Sequence, residues 1–86
     1  MVNASNNPIE WPLLLMELEE AKEHLESLIS QMGHDSSICE ADFRVQVFHV
    51  ITHLNRIWNG RSHVGLVSQE NFDAFSQTPA DFSPVG

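Results

Sequence analysis

Apolar residues recur along the first half of the chain at spacings of four and three: Leu14, Leu18, Ala21, Leu25, Leu28 and Met32. A second run, Phe43, Val47, Val50, Leu54 and Ile57, repeats the pattern. Spacing near 3.5 residues marks a helix packed lengthwise on another helix. Little more than Gly33 to Ser36 separates the two runs, so the helices must fold back on each other as an antiparallel hairpin.

The flanking residues predict the boundaries. Pro12 suits the first helical position, because it lacks only a donor that would be unpaired there, and Gly33 is a good stop. The first helix is therefore expected over 12–32. Ser37 and Glu40 have the spacing of a capping box, in which each side chain bonds the other's backbone N–H. They open a second helix over 38–59, with Gly60 just past its end. Ser68 can cap a short third helix over 69–76, with Phe72 and Phe75 on one side. Residues 1–11 read as a flexible N-terminal segment. Pro79, Pro84 and Gly86 mark 77–86 as a mobile tail, with Phe82 suited to pin it. The expected fold is all-α, one helical domain over 12–76.

The apolar stripes are wider than two helices need. Heptad lettering puts Leu18, Leu25 and Met32 at a, Leu14, Ala21 and Leu28 at d, and Leu15 and Ile29 at e. In the second helix Val47 and Leu54 take a, Phe43, Val50 and Ile57 take d, and Ile51 and Trp58 take e. An a/d/e face suits a helix with more than one neighbour. Leu15, Ile29, Ile51 and Trp58 should gather along one side, with Val45 and Phe48 near the opposite face. These six are the expected interface residues of a homodimer in which two hairpins form a four-helix bundle. The competing arrangements are a monomer closed by its own third helix and tail, and a different protein covering the same surface.

Composition narrows the partners. Eighty-six residues form one domain near the small end of what folds alone. Cys39 is the single cysteine, which excludes a disulfide within the chain and fits a reducing, cytoplasmic setting. Twelve acidic residues against four basic ones give a formal charge of −8. That argues against nucleic acid and anionic membranes as partners, since both need a basic face, and is compatible with a basic protein. No apolar run approaches the ~20 residues of a membrane span. Residues 1–7 have neither the basic residue nor the apolar core of a signal peptide.

The polar stripe of the second helix carries the candidate chemistry. Asp42, Gln46, His49, His53 and Arg56 share a face, and the hairpin register brings Glu17 near His53. His49 and His53, four apart, form a workable metal pair on a helix. The Glu-x-x-His pattern of di-iron bundles is absent, and Val50 stands where a His-Glu-x-x-His zinc helix has its Glu. No metal, cofactor or catalytic residue is assigned, and the stripe is expected to be solvated or to serve as a polar part of an interface. Glu20 and Glu23 read as a solvated helix face. Toward the end of the second helix His53, Arg56, Trp58, Asn59, Arg61 and His63 form a cluster that could receive a small anion or a partner's carboxylate. The opposing reading packs Trp58 into the core. With no nucleophile motif or phosphate loop, the expected function is a small acidic protein–protein interaction module, regulatory or adaptor in role, of which an inhibitor or immunity-type protein for a basic partner is one form. The alternative is a ligand- or metal-binding bundle using His49, His53 and Arg56. A purely structural subunit has no distinguishing mark in the sequence.

Overall fold

The computed structural model describes residues 1–34 and 37–81. Three helices carry the chain, α1 (Glu10–His34), α2 (Glu40–Gly60) and α3 (Gln69–Phe75), and no strand occurs among the described residues. α1 and α2 are 25 and 21 residues long and run antiparallel. The cross-contacts show it: Gln31 meets Gln46, His24 meets His49, and Glu17 meets His53 and Arg56. No helix among the described residues is long and apolar enough to cross a membrane.

Helix ends differ from the sequence expectation for local reasons. α1 starts two residues before Pro12, which still lies in the first turn, where its missing donor costs nothing. The Trp11 N–H reaches back to the Asn7 carbonyl at 3.0 Å. α1 also runs through Gly33 to His34, because Gly33 does not adopt the left-handed conformation of a stop; among the described residues only Gly65 has positive φ, at 94°. The capping box of Ser37 and Glu40 is not formed. Cys39 is the cap instead, its Sγ accepting from the Asp42 N–H at 3.4 Å. Gly60 is the last residue of α2 rather than the one after it, and Arg61 closes the helix in a right-handed conformation. Ser68 does cap α3, its hydroxyl accepting from the Asn71 N–H at 3.1 Å.

A thiol is a weak acceptor, so Cys39→Ser should strengthen the start of α2. A gain of about 0.5–1 kcal/mol raises the melting temperature of a domain this size by roughly 2–8 °C. A melting temperature unchanged or lowered in thermal denaturation would show that Sγ is not the limiting cap.

The largest difference lies in the seam between α1 and α2. It is lined by Ala21 and Leu28 from α1 and by Val50 and His53 from α2, all buried. The a positions Leu18, Leu25, Met32 and Leu54, expected in this seam, are 45–49% exposed. Both helices are rotated about their axes, so that d positions and part of the polar stripe meet while the a positions turn outward. Relative to the seam, the a and e residues of both helices are displaced in the same rotational sense. Because the helices are antiparallel, this places both sets on one side of the hairpin. Leu15, Leu18, Leu25 and Ile29 of α1 and Ile51 and Leu54 of α2, all exposed, make up this apolar flank.

α3 covers the other side. Asn59 Nδ2 donates to the carbonyls of Phe75 and Gln77, and Asn55 Nδ2 to that of Ser76. Both termini of the described chain are docked rather than loose. Val2 is buried and donates its N–H to the Arg61 carbonyl at 2.8 Å, and Pro79 is buried. Within 1–11 Val2 meets the end of α2 in this way, and within 77–81 Gln77 and Asp81 bond Asn59 and Trp58 of α2. Phe82 and the rest of the expected tail lie outside the described residues.

Among the described residues neither α3 nor 77–81 closes the apolar flank, and the exposed surface is large for the mass. The chain exposes 6548 Å², whereas a compact monomer of its mass would expose about 5,100 Å². Its radius of gyration is 15.0 Å, against about 12 Å for a compact domain of this length.

Candidate functional site

The polar side of the hairpin brings together residues from both helices. Glu17, Glu20 and His24 follow one another at spacings of three and four on α1, as His49, His53 and Arg56 do at four and three on α2. Antiparallel pairing lays one series along the other. The sequence register that set Glu17 near His53 describes this meeting, but Glu20, read as a solvated residue, belongs to it as well.

His53 is the centre of the group and is only 8% exposed. Its Nδ1 lies 2.5 Å from Glu17 Oε2 and 3.5 Å from Glu20 Oε2. Arg56 Nη2 lies 3.1 Å from the same Nδ1, so that nitrogen meets two carboxylate oxygens and a guanidinium donor, and which of them it bonds follows from the ring tautomer. Arg56 Nε donates to the other oxygen of Glu17 at 2.9 Å, and its Nη1 donates to Ser76 Oγ at 3.2 Å. Its guanidinium sits over the ring of Phe72, 4.6 Å from the centroid. The His24 ring stacks against His53 at 5.2 Å and lies 5.1 Å from His49 in a tilted arrangement. His49 itself is exposed.

Beside this cluster is a pocket of about 220 Å³ between α1, α3 and the connector. Leu13, Leu14, Met16, Val67, Phe72 and Phe75 give it apolar walls, and Glu17, Glu20 and Arg56 form its polar edge.

The residues expected to act together at the end of α2 are divided between two groups. His53 and Arg56 turn to Glu17. Arg61 turns the other way: its Nη1 donates to the Trp58 carbonyl at 2.6 Å, its guanidinium covers the Trp58 ring at 3.7 Å, and it pairs with Asp81 at 3.7 Å. Trp58 Nε1 also donates to Asp81, at 3.2 Å. Both arginines are thus engaged by carboxylates of the chain itself. Val45 and Phe48 remain exposed on the outer face of α2, with Arg44 over the Phe48 ring. The members that sequence reasoning missed are Glu20 and His24. Their i, i+4 spacing on α1 mirrors that of His49 and His53, and was the available signal.

Comparison with protein-family models, curated proteins and solved structures finds no match to this chain.

Proposed function

We propose that this chain is a small acidic protein–protein interaction module that works as a homodimer, with two hairpins joined through their apolar flanks into a four-helix bundle. One observation carries the reading: leucine and isoleucine side chains from both long helices line one side of the hairpin, and nothing among the described residues of α3 or the terminal segments covers them. Monomers rarely leave such a contiguous face in water. The chain exposes about 1,400 Å² more than a compact monomer, and a standard interface removes about 800 Å² per partner. A second copy suits this surface, because its stripe has the same spacing and length. Dimerisation leaves the acidic outer faces free. With −8 on each chain, they favour fast, salt-sensitive encounter with a basic protein.

The test is molar mass in solution by size-exclusion chromatography with light scattering. A mass twice the 9.7 kDa of the chain is expected. Like charge on the two copies opposes association while apolar burial does not depend on it. The dimer should therefore tighten by a few-fold as salt rises from about 20 mM to 300 mM. A mass of one chain across this range would overturn the reading.

A further inference from the structure

We infer that Glu17, Glu20 and His53 form a binding site for a divalent first-row metal ion of the zinc type. The two carboxylates come from α1 and the imidazole from α2, and one ligand atom from each lies within 4.8 Å of the others. Tetrahedral coordination with bonds of about 2.0–2.1 Å sets ligand atoms about 3.3 Å apart. His53 Nδ1 and Glu20 Oε2 already stand at 3.5 Å. Glu17 must draw back from His53 by less than 1 Å, and the two carboxylates, within 4.8 Å of each other, must come to a similar spacing to admit the ion.

The surroundings of the nitrogen point the same way. His53 Nδ1 faces Glu17 Oε2 and Glu20 Oε2, with Arg56 Nη2 at 3.1 Å on the same atom. Glu20 makes its one ion-pair contact among the described residues with that same nitrogen. Among the described residues Arg56 pairs with Glu17 and not with Glu20. A divalent ion between them would bind both carboxylates and the ring nitrogen at once, with Arg56 Nη2 moving off that nitrogen.

Several features of the surroundings belong to a metal site. Arg56 holds the oxygen of Glu17 that is turned away from His53, the kind of outer contact that orients a ligating carboxylate. The His24 ring lies against His53 and fixes its plane. The Glu20 side chain is half exposed, which gives an ion a way in and leaves coordination positions for water. One imidazole with two carboxylates favours zinc or manganese over calcium and magnesium, which prefer oxygen alone. The neighbouring guanidinium repels a cation, so the expected affinity is micromolar rather than nanomolar.

The experiment is calorimetric titration of the full chain with zinc chloride, in a Cys39→Ser background that removes the exposed thiol as a competing ligand. One ion per chain is expected, with Glu20→Gln and Glu17→Gln each weakening it roughly tenfold or more and His53→Ala abolishing it. His34→Ala and His63→Ala, which lie outside the cluster, should bind as the parent does. Cobalt(II) absorbance supplies a second readout, and Glu20→Gln, at a half-exposed helix position, decides the matter if His53→Ala fails to fold. No binding at about 100 µM zinc, or binding left unchanged by both glutamine substitutions, would overturn the inference. The site lies within one chain, so this outcome is independent of whether the molar mass is that of a monomer or a dimer.

Discussion

A chain carrying Leu18→Glu and Leu54→Glu is expected to elute with the mass of a single hairpin, under conditions where the parent elutes with twice that mass. Both leucines are about half exposed within one chain, so glutamate there is solvated when the hairpin is alone and costs its folding little. In the proposed bundle both would sit between the two copies, and symmetry would place four carboxylates in the apolar interface. Burying an unpaired carboxylate costs several kcal/mol, so the dimer should weaken by more than roughly a thousandfold. Helical content, read by circular dichroism, separates dissociation from unfolding. Val45→Glu with Phe48→Glu is the control, since these residues lie on the outer face of α2, away from the flank. If that pair disrupts the dimer and the leucine pair does not, the interface is on the wrong side of the hairpin.

The second large effect concerns Arg56. Its side chain is 15% exposed and that of its partner Glu17 23%. Arg56→Ala leaves Glu17 half-buried with His53 as its remaining partner, and also removes the contacts to Ser76 and Phe72 that tie α3 to α2. Breaking a well-buried pair costs about 3–5 kcal/mol; the residual water contact here lowers the expected loss to about 2–3 kcal/mol. A domain of this length has roughly 4–13 kcal/mol in total, so the melting temperature should fall by about 10–20 °C in the presence of a chelator. Arg56→Lys should recover only part of this, because an ammonium cannot reproduce the planar fork that meets Glu17 and Ser76 together. The combined Glu17→Met and Arg56→Met variant should melt closer to the parent than Arg56→Ala does, since it leaves no carboxylate stranded at this pair. Equal melting of Arg56→Ala and the parent would mean that water screens the pair completely.

The hairpin was legible in the sequence because two stripes of equal period joined by a short turn leave few other packings. What the stripes did not reveal is which edge faces inward. Hydrophobicity alone places Leu18, Leu25 and Leu54 in the seam. A mutually satisfied group of Glu17, His53 and Arg56 competes for that position, and a periodicity count gives no weight to it. Glu20 and His24 were overlooked for the same reason: an acidic helix face looks solvated until the partner helix supplies the imidazoles. Cys39 took the cap from Ser37 because α2 begins two residues later than the capping-box pattern indicates. Val2 shows a further limit. Its docking against Arg61 joins residues 59 positions apart with no pattern linking them.

The opposed placement of the two flanks also has a consequence for valency. An assembly joined through the apolar side would carry the polar side of each hairpin, with the half-exposed Glu20 and the exposed His49, on outer surfaces that face away from each other. Anything recognised there is then recognised twice per particle. A partner with two matching sites on a linker long enough to span the bundle would gain the effective concentration of an intramolecular second step, which multiplies a weak single contact by roughly 10²–10⁴. A partner with one site would gain nothing, so oligomeric state on the partner's side becomes a determinant of selection.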